Sequence, residues 1–387
     1  MLSITKLFLA VLRAFVTNTA IDQAIKPEFT PEVNEKLLNM SKAHDVVQIV
    51  SDVLFKNGLL PKGDPLTAQF QKYQVFALRR YMNIEREHQM IYKLFEDNAI
   101  PFVPLKGSVI RQYYAEPYMR TSKDIDILVH IEDLERAAAA LVSNLNYDRR
   151  EGMTFHDVHL FSQSGVMLEL HYSLIENQEN LDRVLLKVWD YCVDTEKGKY
   201  YKLQTPEFYL FHHVSHMVNH FLRGGCGIRS FIDLYLIEKH LQYDAAKAEA
   251  LMEESEIAEF YHAAKQCIAS WFDGAEATEI VNLMEDFILK GGVFGTKENR
   301  INIDQNKQGG KIKYFLSRIF IPYDKLKYKY TVLQKHKYLL PLMWVVRLFS
   351  LISPETRQHA KTELDLQHGI SETAEKSANR MLNLLKL

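Results

Sequence analysis

A short apolar segment that carries two aspartates, Asp124-Ile125-Asp126-Ile127-Leu128-Val129, constrains the fold of this chain most strongly. Its alternation predicts a β-strand, in which residues i and i+2 point to the same face. Asp124 and Asp126 therefore present two carboxylates side by side, while Ile125 and Ile127 point into the core. Two carboxylates this close repel each other, and both stay ionised only if a cation bridges them. Oxygen ligands of this kind select Mg²⁺ or Mn²⁺.

The residues around this strand predict a small sheet. Residues 99–105 are short, apolar and β-like, and residues 156–161 and 166–172 flank a Ser-Gln-Ser-Gly turn, which indicates a β-hairpin. A helix is predicted at 132–145, between the aspartate strand and the hairpin. We therefore expect a compact α/β unit over residues 96–175.

Helical periodicity dominates on both sides of that unit. Thr30-Pro31 and Thr205-Pro206 are typical helix starts, since Thr caps the first turn and Pro fits the first helical position. The sequence thus predicts an α+β fold with three regions. A small mixed-sheet core at 96–180 lies between a helical region at 1–95 and a second helical region at 181–387.

Charge and cysteine usage exclude several classes of protein. Lys and Arg number 47 and Asp and Glu 49, so the net charge is −2 and no stable DNA binding is expected. Three scattered cysteines, Cys192, Cys226 and Cys267, favour a reducing cytoplasm over a disulfide framework. The apolar runs at 7–12 and 338–346 are shorter than the ~20 residues of a membrane span. We expect both to be packed helices, with a signal or membrane-surface anchor as the alternative for the first.

A third carboxylate lies on the predicted hairpin. Glu169 and His171 share one face of their strand, because they are two residues apart. If this strand lies beside the one that carries Asp124 and Asp126, Glu169 joins the same surface. Three carboxylates can hold two divalent ions, which can activate an attacking hydroxyl and stabilise a leaving pyrophosphate.

The segment Lys106-Gly107-Ser108 comes at a predicted strand-to-helix turn. There, backbone N–H groups and the Ser108 hydroxyl can hold the outer phosphates of a nucleotide. Lys106 is either a phosphate contact or a surface lysine. Arg120 is placed to hold a triphosphate or the aspartate pair, with a structural salt bridge as the alternative.

In their order along the chain, these segments resemble a bacterial, largely uncharacterised family of nucleotidyltransferases within the DNA polymerase β-like superfamily. The resemblance rests on Pro104-Leu105-Lys106-Gly107-Ser108, on the strand 124–129, on Glu169-Leu170-His171-Tyr172 and on Gly227-Ile228-Arg229-Ser230. It covers residues 35–240 of the chain. It implies a mixed-sheet nucleotidyltransferase core with a helical part that supplies the acceptor pocket.

The resemblance also implies an activity. A nucleoside monophosphate would be transferred from a Mg²⁺-bound (or Mn²⁺-bound) nucleoside triphosphate such as ATP to an acceptor hydroxyl, which leaves pyrophosphate. Asp124, Asp126 and Glu169 would be the catalytic and metal-binding residues. The acceptor stays open: a small molecule, a sugar, a protein or an RNA end.

A helix predicted from Glu207 to Leu222 carries His212, His216 and His220 at i, i+4 and i+8, on one face. The simplest interpretation is that they pack on the α/β unit. A second interpretation is that His216 and His220 face the substrate, a role for which His171 and Arg229 are also candidates. A third is zinc binding, because two histidines at i, i+4 are a common zinc half-site. Arg229 and Asp233 are four residues apart, which favours an ion pair along one helix.

Two other functions remain open at this point. Lys123 precedes Asp124 where the family commonly has glycine, which motivates a nucleotide-binding module that keeps the fold without turnover. The histidines motivate a helical scaffold with a histidine-based metal site.

Overall fold

The computed structural model describes residues 2–153 and 156–293, shorter stretches between 295 and 350, and residues 372–387. The chain begins with helices α1 (Ile4–Val16), α2 (Pro31–Ala43), α3 (Val47–Lys56) and α4 (Pro65–Asp97). The Thr30 hydroxyl accepts the N–H of Val33 at 3.4 Å, and the Asp64 carboxylate accepts the N–H of Leu66 at 2.6 Å. These caps satisfy first-turn donors, which fixes where α2 and α4 begin.

Helix α1 packs on the body of the protein, as predicted. Leu7, Phe8, Val11 and Leu12 are almost fully buried, and they join a core to which helices of the C-terminal half also contribute. Burying an apolar side chain of this size stabilises the fold by about 1.5–3 kcal/mol. The apolar run 7–12 is therefore part of the main hydrophobic core.

A mixed sheet of seven strands forms the centre of the fold, in the spatial order β3-β4-β5-β2-β1-β7-β6. Strand β2 pairs with β5 in parallel and with β1 antiparallel. The strands are β1 (Phe102–Pro104), β2 (Asp124–Val129), β3 (Asp148–Met153), β4 (Asp157–Phe161), β5 (Met167–His171), β6 (Cys192–Thr195) and β7 (Gly198–Gln204). The predicted strand at 124–129 and the predicted hairpin are confirmed.

The two faces of the sheet have different surroundings. Ile125, Ile127 and Val129 pack in a core with α4 and with α6 (Leu134–Leu145), whereas Leu128 belongs to the larger helical core. This division follows the two-residue period of a strand. As a consequence, the side chains of Asp124 and Asp126 point away from α4 and α6.

The region 181–387, in which helices were predicted to dominate, also contains two strands. After the short helix α7 (Glu179–Leu185), strands β6 and β7 form a hairpin, and β7 joins the sheet in parallel beside β1. The Glu96 carboxylate at the end of α4 accepts the backbone N–H groups of Lys199, Tyr200 and Tyr201 at 2.7–3.1 Å. A local reading of the sequence misses this contact, because Glu96 lies about a hundred residues earlier.

The C-terminal half continues mainly as helices. Among the described residues, no helix is both long and apolar enough to cross a membrane. The helices are α8 (Pro206–Leu222), α9 (Ile228–His240), α10 (Ala245–Glu254), α11 (Ala258–Ile268), α12 (Glu279–Gly291), α13 (Val332–Lys335), α14 (Leu340–Ser350) and α15 (Glu372–Leu385). The run 338–346 was expected to be buried, but Leu342 and Val345 are 52% and 46% exposed. Apolar residues occur all around α14, so packing one side leaves the others in solvent.

Candidate active site

A cavity of about 690 Å³ lies between the sheet and helices α8 and α9. Asp124 and Asp126 from β2 and Glu169 from β5 line it, and we call these three residues the carboxylate cluster. Gly107 lines the same cavity. The turn at 106–108 and the paired aspartates therefore meet at one opening, as the spacing of strand residues led us to expect.

The pairing of two parallel strands brings Asp126 and Glu169 together, whereas Asp124, also predicted to bind metal, is in no close group of metal-ligating side chains among the described residues. Asp126 on β2 lies directly beside Glu169 on β5, and Asp124 lies beside Met167. One donor atom each from Asp126, Glu169 and His171 lie within 4.8 Å of one another. His171 places Nε2 3.1 Å from Asp126 Oδ1 and 3.5 Å from Glu169 Oε2, so its imidazole bridges the two carboxylates.

The cluster carries more negative charge than its surroundings neutralise. Burial, with the neighbouring charges of Asp126 and Glu169, raises the pKa of Asp124 to about 6. Burial also opposes ionisation of Asp126, yet Lys106 and His171 hold the pKa of Asp126 well below its usual range. Asp126 is thus ionised, whereas Asp124 takes up a proton at a higher pH than an ordinary aspartate. This difference is typical of two like charges that share one site.

Lys106 provides the positive charge nearest to the cluster. Its Nζ lies 2.8 Å from Asp126 Oδ1. Its backbone has φ +46° and ψ −117°, a conformation that favours glycine, and its carbonyl accepts the Tyr209 hydroxyl at 3.1 Å. A strained backbone persists only where neighbours hold it, and such residues concentrate at functional sites. The Lys106 ammonium thus lies at the carboxylate cluster, and its predicted contact with a phosphate stays a prediction.

The two residues after Lys106 have different surroundings. Gly107 begins the four-residue helix α5 (Gly107–Ile110) at the edge of the cavity. The Ser108 hydroxyl lies 3.0 Å from Nε2 of His88, a buried residue of α4. The structure therefore pairs Ser108 with α4, although the sequence suggested a phosphate contact for its hydroxyl.

Two arginines that line the cavity form ion pairs in its wall. Arg120 holds Asp233 through Nε at 2.9 Å and Nη2 at 2.8 Å, and the Tyr114 hydroxyl donates to the same carboxylate at 2.6 Å. Arg229 pairs with Asp45 instead. The predicted Arg229–Asp233 pair is therefore wrong, since each member has another partner. Of the alternatives for Arg120, the structure shows the salt bridge.

The histidines of α8 make separate contacts. His212 Nδ1 lies 3.2 Å from the Gln204 amide, whereas His216 Nδ1 lies 3.1 Å from Glu176 Oε1. His220 contacts His216, with their Nε2 atoms 2.9 Å apart. Within the part of the chain that the structure describes, these histidines are in neither of the two groups of three close metal-ligating side chains.

The sequence did not single out Glu176, which lies in the loop after β5. It lines the cavity, and the Asn219 side chain donates to its carboxylate. Nothing in the local sequence marks this residue, because its partners lie about forty positions later on α8. The one signal in the sequence was the repeated histidine spacing on α8, because buried histidine side chains need polar partners.

Comparison with known protein families gives one match. The model of a family described as "Uncharacterised nucleotidyltransferase" matches residues 31–273, which is more than half of the chain. The matched range contains the whole sheet, the carboxylate cluster and the histidines of α8. No curated protein and no solved structure matches the chain significantly.

Proposed function

Because the chain belongs to the uncharacterised nucleotidyltransferase family, we propose that it transfers a nucleoside monophosphate from a metal-bound nucleoside triphosphate to an acceptor hydroxyl. The observation that carries the proposal is the carboxylate cluster, Asp124, Asp126 and Glu169, on one cavity with Gly107. Phosphoryl transfer needs positioning and charge neutralisation more than covalent chemistry from the protein, and this cavity offers both.

The donor set of the cavity fits divalent ions. Burial first, and then the charges of Asp126 and Glu169, raise the pKa of Asp124, and a bound cation would favour its ionised form. The close grouping of Asp126, Glu169 and His171 offers oxygen donors with one imidazole nitrogen. Mg²⁺ and Mn²⁺ both accept carboxylates, and Mn²⁺ also accepts imidazole. When bound, two such ions would neutralise the triphosphate and make the acceptor oxygen a better nucleophile.

The remaining side chains of the cavity suit a triphosphate. Lys42, Lys123 and Arg223 are exposed cations on the lining, and they would attract a polyanion to the opening. Lys106 would exchange its contact with Asp126 for the phosphates. His171 would bind the ion beside the Asp126 and Glu169 carboxylates in place of its present contacts with them. The acceptor oxygen would then attack the α-phosphorus in line as pyrophosphate leaves.

A nucleotide-binding module without turnover is the second candidate. The contact between the Lys106 ammonium and Asp126 favours it, because a lysine can neutralise a carboxylate that would otherwise need a metal ion. In that case the protein would bind nucleoside triphosphates without a dependence on divalent ions.

Calorimetric titration of each of the four nucleoside triphosphates, with and without Mg²⁺, tests both candidates. We expect submillimolar binding of at least one triphosphate that requires the ion and is lost in Asp124→Asn. Asp286→Asn is the matched control, because Asp286 is exposed on α12 and pairs with Lys290. Metal-independent binding would support the inactive module, and Mg²⁺-dependent binding that survives Asp124→Asn would refute the site assignment. Labelled-nucleotide transfer to small molecules, sugars, proteins and RNA then tests for turnover.

A further inference from the structure

Three side chains on the α8 side of the cavity form a hydrogen-bonded chain, which we call the histidine relay: Glu176, His216 and His220. Glu176 Oε1 lies 3.1 Å from His216 Nδ1, and His216 Nε2 lies 2.9 Å from His220 Nε2. All three line the cavity that holds the carboxylate cluster. Asn219 is 2% exposed and donates its amide to Glu176, which fixes the carboxylate at the far end of the relay.

The order of donors and acceptors along the relay has one consistent solution when both imidazoles are neutral and Glu176 is ionised. The Glu176 carboxylate accepts the proton on His216 Nδ1, so His216 Nε2 carries a lone pair and accepts. His220 must then donate from Nε2. Its Nδ1 is left with a lone pair, which can accept a proton from a hydroxyl bound in the cavity.

The electrostatics of the cavity keep the relay in that form at neutral pH. Burial lowers the pKa of His220 to about 4, and the cations Lys106, Arg223 and Arg229 act in the same direction. Burial also holds the pKa of His216 well below its usual range. Burial raises the pKa of Glu176, and the charges of Lys106 and Arg223 oppose that effect and favour its carboxylate form. Glu176 contacts His216 and not His220, so it acts on His220 through the His216 ring.

We propose that His220 is the general base of the transfer reaction, and that Glu176 and His216 are positioning residues that fix its tautomer. This inference rests on the function proposed above. The acceptor O–H gives its proton to His220 Nδ1 while the acceptor oxygen forms the new bond to the α-phosphorus. The bond from that phosphorus to the bridging oxygen breaks, and pyrophosphate leaves with the electron pair. The imidazolium formed shares its charge through His216 with Glu176.

A chemical-rescue experiment tests the base directly. Release of pyrophosphate from the Mg²⁺-bound triphosphate is measured with water as the acceptor and with a panel of hydroxyl compounds. Positioned general bases contribute about 100-fold or more to a rate. We expect His220→Ala to lose at least that factor, with the Kd of the Mg²⁺-bound triphosphate within about twofold of wild type, and added imidazole to restore part of the rate.

His262→Ala is the matched control, because His262 is a half-exposed imidazole on α11 that pairs with Glu249; it should keep the wild-type rate. Failure of the wild type to bind the Mg²⁺-bound triphosphate would refute the proposed function itself. Binding without any pyrophosphate release, or a His220→Ala variant as fast as wild type, would overturn the relay. A slow variant that imidazole does not rescue would also count against a base at this position.

Glu176→Gln tests the positioning role. It keeps the size of the side chain and an oxygen that can accept from His216, but it removes the charge. We expect a smaller rate loss than for His220→Ala and a changed pH–rate profile, because the imidazolium is no longer stabilised. Two-bond ¹H–¹⁵N spectra of the wild type should show the proton of His216 on Nδ1 and that of His220 on Nε2. The opposite tautomers, or an unchanged pH profile in Glu176→Gln, would contradict the relay.

Discussion

The carboxylate cluster and the histidine relay line the same cavity, yet they are built in different ways. The cluster stands on adjacent parallel strands, where backbone pairing alone places Asp126 beside Glu169. The relay joins a loop residue to one face of a helix, and its geometry depends on side-chain hydrogen bonds. The cluster concentrates charge that needs a cation, whereas the relay is kept neutral by burial. In the function that we propose, one cavity would combine a surface for metal and phosphate with a surface that accepts a proton.

The largest effect that distinguishes the two regions is expected from Asp124→Asn. Loss of one carboxylate weakens binding of divalent ions, which supply several kcal/mol of charge stabilisation in such reactions. We expect turnover to fall by about 1000-fold, since each 1.36 kcal/mol is a factor of ten. Steady-state pyrophosphate release measures it. Retention of more than a tenth of the wild-type rate would show that Asp124 lies outside the catalytic machinery.

A stability effect is expected from the buried ion pair of Arg120 and Asp233 in the wall of the cavity. Arg120→Gln leaves Asp233 buried without its guanidinium, and Asp233 is 2% exposed as a side chain. Breaking a buried pair in this way costs about 3–5 kcal/mol. Urea unfolding measures the change. Arg380→Gln removes an arginine whose pair with Glu279 is exposed, so it should leave the midpoint almost unchanged. Equal effects of the two variants would refute a special role for the buried pair.

Metal affinity should depend on pH through the cluster and not through the relay. The pKa of Asp124 is raised to about 6, so a proton competes with the metal ion below that pH. We expect the affinity for Mn²⁺ to fall by up to about tenfold per pH unit below pH 6. The same dependence should persist in His220→Ala. Mn²⁺ titration followed by electron paramagnetic resonance would check this, and an affinity that is flat between pH 5 and 7 would contradict it.

A gain in stability is expected from the same substitution when no metal ion is bound. A carboxyl whose pKa is raised in the folded state adds stability at low pH, and this contribution is lost as the pH rises through about 6. Asp124→Asn should therefore stabilise the protein at pH 8 by up to about 3 kcal/mol, because the pKa is raised by about two units at 1.36 kcal/mol per unit. The gain should shrink at pH 5. A variant that is less stable than wild type at pH 8 would show that the carboxylate is already neutralised.

The sequence was informative where structure follows from backbone periodicity. The strand 124–129 is confirmed as β2, and the pairing of β2 with β5 places Glu169 as the same-face rule anticipated. The catalytic roles of these residues stay predictions. Periodicity does not predict which side chains from distant parts of the chain contact each other. Arg120 meets Asp233 across 113 positions, and Glu176 meets His216 across 40.

The hairpin of β6 and β7 illustrates the same limit. Its residues have no strong alternation of apolar and polar character, since Lys199, Tyr200, Tyr201 and Lys202 follow one another. The strand forms because β1 offers an unpaired edge and because Glu96 binds its backbone N–H groups. Tertiary context thus decides the conformation here, as it often does for strand propensity.

Crystallisation with Mn²⁺ and a non-hydrolysable nucleoside triphosphate, with diffraction data collected at the manganese absorption edge, tests the central claim most directly. The account predicts anomalous peaks between the triphosphate and the carboxylates of Asp124, Asp126 and Glu169, with Lys106 moved from Asp126 towards the phosphates. Manganese bound elsewhere, or a triphosphate bound while Lys106 keeps its contact with Asp126 and no peak lies at the carboxylates, would contradict it.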